Sequence, residues 1–226
     1  MSISDVLISK IGSTTSTVVA GTFFIVLCYK RDALMVSFFF GAICNAVFGK
    51  VLKKILNIER PDIAAVDGDS DDAAVAPKID VIDSIDRPSD NGMPSSHAMS
   101  LGFICTFVTL LLPTTTIPLL AYASISLIYR VKVNLHSVDQ IAVGAVLGTV
   151  DGALWWQLCN TNGWFFHGFN LVDWVSASGV MNEYGLLPWY FLAVPALIGA
   201  AVVGSVERRL GKYLRSSDET RNSKQE

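Results

Sequence analysis

Long apolar runs constrain the fold of this chain more than any other feature. Six runs are close to the length that crosses a bilayer as a helix, which is about 20 residues. They extend over Thr14–Tyr29, Leu34–Leu52, Ala98–Leu112, Ile117–Ile128, Ile141–Leu158 and Leu186–Val206. Only 16% of the residues are charged, against roughly 25% in a soluble domain. The pattern predicts an all-α fold, a polytopic membrane helix bundle with about six transmembrane helices, of which the first, third and fourth are short enough to tilt or re-enter.

The remaining segments predict the domain organisation. Residues 1–210 form one integral membrane domain, and residues 211–226 form a disordered polar tail. An acidic loop over residues 62–92 is inserted in the domain, with nine aspartates between Asp62 and Asp90 against Lys78 and Arg87. Such a composition favours a mobile, solvated connection, with a regulatory or cation-attracting role as the alternative. The four cysteines are far apart and indicate neither a disulfide framework nor a zinc site.

Charged residues and histidines gather in three stretches at the edges of the apolar runs. The stretches are KKILNIERP from Lys53 to Pro61, MPSSH from Met93 to His97, and RVKVNLH from Arg130 to His136. Counting the predicted crossings places all three on the same side of the membrane. The cost of closing the loop between the first two grows only logarithmically with its length, so they can meet. We therefore expect one shared site.

The residue types in these stretches suit an anionic phosphate group. Lys53, Arg60 and Arg130 would supply three cations, and the forked arginines bind phosphate oxygens in pairs. Ser95 and Ser96 precede a helix, where hydroxyls and backbone N–H groups bind anions. The alternative for the cations is simple anchoring at the lipid headgroups, and for the serines simple helix capping. No Gly-rich nucleotide loop and no basic aromatic face for nucleic acid occurs in the sequence.

Two histidines provide groups for covalent and acid–base chemistry. His136 is the candidate nucleophile, because a neutral imidazole attacks phosphorus when its other nitrogen is held by an acceptor. Asp139 and Gln140 follow it by three and four residues, and the sequence leaves either as that acceptor. His97 lies in the first turn of the helix predicted after Ser95 and Ser96, where it can give a proton to a departing oxygen.

The three stretches together resemble the signature of the type 2 phosphatidic acid phosphatase superfamily, K-x6-RP, PSxH and SR-x5-H-x3-D. The matching residues are Lys53 with Arg60-Pro61, then Pro94-Ser95-Ser96-His97, then Arg130 with His136. Two positions depart from the signature: Tyr129 stands where a serine precedes the arginine, and Gln140 stands where the last aspartate is found. The sequence GMPSSH combined with Gln140 is similar to the dolichyl diphosphate phosphatase branch.

This resemblance implies a metal-independent lipid phosphatase without a cofactor. His136 would form a phosphohistidine, and His97 would protonate the leaving group. By the family motifs, the phosphoryl oxygens would be held by Lys53, Arg60, Ser95, Ser96 and Arg130. The expected substrate is dolichyl diphosphate, and the expected location is the endoplasmic reticulum with a luminal site.

Two alternatives remain at this stage. A broader lipid phosphatase would act on phosphatidate or related lipids by the same chemistry. A noncatalytic lipid-binding protein would keep the helices, although such a protein has no need for the paired histidines. Membrane lipids and a lipid phosphate are the partners that the sequence indicates, and it points to no obligate protein partner and no nucleic acid.

Overall fold

The fold consists of helices that run back and forth across one bundle. The computed structural model describes residues 3–58, 91–160 and 168–193. The helices in these ranges are α1 (Ile3–Lys30), α2 (Ala33–Leu56), α3 (Ser96–Leu111), α4 (Thr116–Lys132), α5 (Val138–Cys159) and the short α6 (Leu171–Ala177). Three of them, α1 from Ile8 onward, α2 and α5, are long and apolar enough to span a membrane. The predicted all-α membrane bundle is confirmed.

The first helix is longer than its apolar run. It begins at Ile3 rather than Thr14, and the polar residues near its middle are accommodated by bonds to their own helix. The hydroxyl groups of Thr14 and Thr15 donate to the carbonyls of Lys10 and Ile11, each at 2.7 Å. Because these hydroxyls are satisfied within the helix, a polar stretch does not end it.

The last apolar run does not begin as a helix, which corrects the prediction at Leu186. That residue instead pairs with Asp32 in an isolated antiparallel bridge, and Leu187 donates its N–H to the carbonyl of Arg31 at 2.7 Å. A 3-10 turn follows at Trp189–Leu192, directly after Pro188. The extended backbone before a proline disfavours a helix there. Residues 194–206 of the run lie outside the described residues.

Helices α3 and α5 are in very close contact because α5 carries glycines at every fourth position. A Cβ atom at Gly144 would lie 2.7 Å from the carbonyl oxygen of Ser95, and one at Gly148 would overlap the carbonyl of Met99. Gly152 is similarly close to α3. These glycines form the surface through which α5 contacts α3.

An aromatic core holds one end of the bundle. Phe38 of α2 stacks on Phe107 of α3 with 4.3 Å between ring centroids, and Trp156 of α5 meets Phe107 edge-on. The indole N–H of Trp155 donates to the carbonyl of Ser37 at 2.9 Å. All four cysteines are free thiols. This apolar end is fixed by packing, and the polar residues gather at the opposite end.

Candidate active site

The predicted site residues within the described ranges lie at one end of the bundle. This end is formed by the last turns of α2 and α4 and the first turns of α3 and α5. Its sequence-predicted members are Lys53, Ser95, Ser96, His97, Arg130, His136, Asp139 and Gln140. The backbone N–H of Ser95 donates to the carbonyl of Gln140 at 3.1 Å, which joins the starts of α3 and α5. Arg60 lies outside the described residues.

Lys53 is held where the chain leaves α2. Its side chain is buried, with 5% exposed, and its carbonyl accepts from the backbone N–H of Asn57 and the side-chain amide of Asn91. Asn57 ends α2 in the left-handed conformation with φ of 47°, which asparagine tolerates better than most residues. The N–H of Gly92 donates to the carbonyl of Ile58 at 2.7 Å. The chain therefore leaves the site after Ile58 and returns to it at Asn91 and Gly92, which lie next to the end of α2.

The start of α3 supplies hydroxyl and amide donors. Ser95 is the N-cap, and its hydroxyl oxygen accepts from the N–H of Ala98 at 3.5 Å. Its side chain is fully buried, and Ser96 is half-buried beside it. The first N–H groups of a helix have no acceptor within the helix. The N-terminus of α3 is thus of the kind that binds anions, and such a role for Ser95 and Ser96 stays a prediction.

A tight turn brings the end of α4 next to the start of α5. Asn134 adopts the left-handed conformation with φ of 50°, and the N–H of Leu135 donates back to the carbonyl of Arg130 at 3.0 Å. His136 follows directly and is buried, with 4% exposed. The turn thus places Arg130 in the last turn of α4 and His136 just before the start of α5.

The hydrogen bonds of Gln140 determine the tautomer of His136. Gln140 Oε1 lies 3.1 Å from Nδ1 of His136 and 3.3 Å from the backbone N–H of Ser137. A backbone N–H needs an acceptor, so the atom in contact must be the oxygen of the amide. Nδ1 of His136 must then carry a hydrogen to donate to that oxygen. In the neutral ring the lone pair is then on Nε2, the nitrogen that a nucleophilic role requires.

Gln140 and not Asp139 is in place to orient His136. Gln140 is 5% exposed, whereas Asp139 is exposed to the surroundings. Ser137 and Gln140 form a capping box at the start of α5, in which each side chain binds the backbone N–H of the other. The spacing Ser-x-x-Gln is a recognisable signal for this motif. It would have separated the two candidates that the sequence left open.

Replacing Gln140 by alanine is expected to lower kcat about 100-fold, because His136 loses the acceptor that fixes its tautomer. Replacing the neighbouring Asp139 by alanine is expected to leave turnover close to the wild-type value. Phosphate release by the two purified variants measures the difference. A larger loss of kcat in the Asp139 variant would contradict the role of Gln140 as the residue that orients His136.

Gly92 leaves room for the Gln140 side chain. A Cβ atom at position 92 would lie 2.5 Å from Nε2 and 2.9 Å from Oε1 of Gln140. The contact involves the far end of a flexible side chain and not a backbone. A larger residue could therefore be accommodated by moving Gln140, but its bond to His136 would be disturbed.

Replacing Gly92 by alanine is expected to reduce kcat about 10-fold while changing the free energy of unfolding by less than about 1 kcal/mol. In a Gln140→Ala background, Gly92→Ala should cause no further loss, since both act through the same side chain. Turnover and thermal unfolding of the two single variants and the double variant test this. Additive losses in the double variant would contradict it.

Helix α1 also reaches this end, which the motifs did not predict. Gly12 lies against the ring of Tyr129 so closely that a Cβ atom would overlap it, and the hydroxyl of Ser16 contacts His97. Tyr129, which stands where the superfamily signature has serine, is thus turned toward α1. The only sequence signal for this contact is a pair of small residues four positions apart, which lie on one face of a helix.

Comparison with known proteins supports the reading of the three motifs. The PAP2 superfamily profile matches residues 34–164. Lipid phosphate phosphatase epsilon 2, chloroplastic, from Arabidopsis thaliana is 33% identical over 154 residues, which cover 64% of this chain and 46% of that protein. Lipid phosphate phosphatase epsilon 1, chloroplastic, from the same plant is 31% identical, covering 70% and 51%.

A third relative is dolichyldiphosphatase of Saccharomyces cerevisiae, which is 24% identical over 177 residues, covering 73% of this chain and 59% of that protein. The chain spans about half the length of the curated relatives it matches. No solved structure matches the chain. Since the matched region contains all three motifs and more than half of the 226 residues, the chain belongs to the PAP2 superfamily.

Proposed function

We propose that the protein is an integral membrane phosphatase that removes a phosphate group from a lipid through a phosphohistidine on His136. The observation that carries the proposal is the bond between Nδ1 of buried His136 and Oε1 of Gln140 at 3.1 Å. It prepares Nε2 as a nucleophile at the end of the bundle that also holds His97, Lys53 and Arg130.

In the first step, the lone pair on Nε2 of His136 forms a bond to phosphorus while the bond from phosphorus to the leaving oxygen breaks. His97 gives its proton to that oxygen. The imidazole ring of His136 gains positive charge, and the carbonyl oxygen of Gln140 stabilises it through the hydrogen on Nδ1. Lys53 and Arg130 offset the charge of the phosphoryl oxygens as it shifts, and Arg60 joins them by its place in the motif.

In the second step, water attacks the phosphorus of the phosphohistidine. His97, now neutral, takes a proton from the water, and the bond between phosphorus and Nε2 breaks. Phosphate leaves, His136 recovers its neutral form with the hydrogen still on Nδ1, and His97 is again protonated. Both histidines therefore return to their starting states after each turnover.

The first candidate substrate is a polyprenyl diphosphate, with dolichyl diphosphate giving dolichyl monophosphate and phosphate. Two features of the chain support this: the GMPSSH sequence from Gly92 to His97, and Gln140 in place of an aspartate. The yeast relative carries the name dolichyldiphosphatase. A neutral amide stabilises a cationic imidazole less than a carboxylate does, which suits a leaving group that departs readily.

The second candidate is a lipid phosphate monoester such as phosphatidate. Two plant relatives named lipid phosphate phosphatases are more similar to the chain, at 33% and 31% identity, than the yeast protein is at 24%. The same two steps apply, with a lipid alcohol as the leaving group. A monoester makes a stronger demand on His97, because an alkoxide leaves poorly without a proton.

Phosphate release from purified protein, offered dolichyl diphosphate, dolichyl monophosphate and phosphatidate side by side in mixed micelles, tests the proposal. We expect the diphosphate to be hydrolysed fastest. Faster release from phosphatidate would replace the first candidate by the second. Absence of release from all three, by a protein shown to be folded, would favour the noncatalytic lipid-binding alternative and overturn the proposal.

For the location, we propose the endoplasmic reticulum with the site facing the lumen, on the strength of the likeness to the dolichyl diphosphate phosphatase branch. The two plant relatives are named chloroplastic, and a plastid is therefore the competing location. Protease protection of a tag placed near the site, in sealed microsomes, measures the side on which it lies.

A further inference from the structure

Helix α1 contributes a polar contact to the candidate site from outside the family's matched region. The PAP2 match begins at residue 34, and α1 ends at Lys30. Nevertheless Oγ of Ser16 lies 2.6 Å from Nε2 of His97. This distance is at the short end for a hydrogen bond between nitrogen and oxygen. No motif of the superfamily assigns a role to this serine.

The contact differs from those of neighbouring hydroxyls on the same helix. Ser13 and Thr14 donate to the carbonyl of Lys10, and Thr15 donates to the carbonyl of Ile11. These bonds stay within α1, as serine and threonine commonly do in helices. The hydroxyl of Ser16 instead reaches across to a residue 81 positions later in the chain.

The backbone of α1 is held close enough to make this contact durable. Gly12, one turn before Ser16, packs directly against the ring of Tyr129 on α4. Val19, about one turn after Ser16, packs on the cluster formed by α3 and α4 around Leu101. Ser16 therefore sits between two packing contacts that fix its distance from the start of α3.

We infer that Ser16 is a positioning residue for His97, an inference that rests on the proposed function. A hydrogen bond at Nε2 restricts rotation of the imidazole ring about its bond to Cβ. In the protonated ring both nitrogens carry a hydrogen, so Ser16 holds one while the ring presents the other to the leaving oxygen. Ser16 neither gains nor loses a proton over the cycle. Its loss widens the range of ring orientations and lowers the fraction in which proton transfer occurs.

The test compares Ser16→Thr with Ser16→Val, which have the same shape but differ in the hydroxyl group. We expect Ser16→Thr to keep turnover within about 3-fold of wild type and Ser16→Val to lose about 10-fold in kcat with little change in KM. Ser13→Ala is the matched control, because its hydroxyl binds only a carbonyl of its own helix among the contacts described, and it should behave as wild type. Thermal unfolding of each variant in detergent establishes that it is folded.

The kcat values of Ser16→Thr and Ser16→Val are then measured in a His97→Ala background with the fastest lipid substrate. If Ser16 acts through His97, Ser16→Thr and Ser16→Val should be equally active there. With p-nitrophenyl phosphate, whose leaving oxygen departs without a proton, the difference between them in the rate of the first step, measured as the initial burst of p-nitrophenolate, should also shrink to less than about 2-fold.

An equal loss for Ser16→Val in the first step on both substrates, or a loss that persists without His97, would overturn the role of Ser16 and leave the proposed function standing. Those results would mean that the hydroxyl serves only helix packing. A wild-type protein that is folded and inactive on every substrate would instead overturn the proposed function, and the role of Ser16 with it.

Discussion

Replacing His136 by alanine is expected to lower kcat by at least about 10³-fold, the scale of loss when a covalent nucleophile is removed. The expectation follows from the ring, which is buried with Nδ1 bound to Gln140 Oε1, and from the proposed role of Nε2 as the attacking atom. Phosphate release from labelled lipid measures the loss.

Trapping of the covalent intermediate separates His136 from the other site residues. Wild-type protein, quenched in alkali during turnover of a phosphate-labelled substrate, should retain label on histidine, since phosphohistidine survives alkali. His136→Ala should carry none. His97→Ala should accumulate label with p-nitrophenyl phosphate, because the first step then needs no acid while the second step still lacks its base.

A folding control accompanies this experiment because His136 is buried. His136→Gln retains a polar side chain of similar length and should insert in the membrane and unfold at a temperature near that of wild type. It should nevertheless be as inactive as the alanine variant. Labelled histidine in either variant would assign the nucleophile to another residue.

The meeting of the motif residues at one end of the bundle was predictable, because it follows from the length of the apolar runs and from the motifs at their edges. Crossings counted along the chain placed Lys53, His97, Arg130 and His136 on one side, and the helix ends that carry them meet at one end of the bundle. Arg60 was predicted to join these residues, and it lies outside the described residues.

The partner of His136 was harder to predict, because Asp139 and Gln140 both follow it at helical spacing. The choice depends on the rotation of α5, which the capping box between Ser137 and Gln140 sets. The four-residue pattern Ser-x-x-Gln decides this rotation, and hydrophobicity carries no information about it. The same limit applies to Ser16, whose contact with His97 depends on how α1 packs against α4.

The last apolar run shows where hydrophobicity misleads. Leu187 and Leu192 are buried against Leu27, so their apolar character reflects packing on the turn between α1 and α2. Arg31 reinforces that contact by lying over the ring of Trp189 at 3.8 Å and by donating to the carbonyl of Leu187. A buried non-helical segment and the start of a membrane helix have the same composition, and only tertiary contacts distinguish them.

Replacing Gly148 by alanine is expected to destabilise the protein by about 3 kcal/mol, the upper end of the usual cost of overpacking. The added Cβ would overlap the backbone carbonyl of Met99, which cannot rotate away as a side chain can. Helices α3 and α5 would have to separate. Because the bond from the N–H of Ser95 to the carbonyl of Gln140 lies at the end of this interface, activity should fall along with stability.

The matched control is Gly21→Ala in α1, where a Cβ atom would meet nothing within 4 Å. There the substitution should be neutral or stabilise the protein by up to about 1 kcal/mol, since alanine loses less backbone entropy than glycine when a helix forms. Thermal unfolding in detergent and phosphate release are measured for both variants. If Gly148→Ala unfolds at the wild-type temperature and retains activity, α3 and α5 do not approach as closely as Gly148 and Met99 require. The start of α3 would then need another means of holding Ser95 and His97 beside His136.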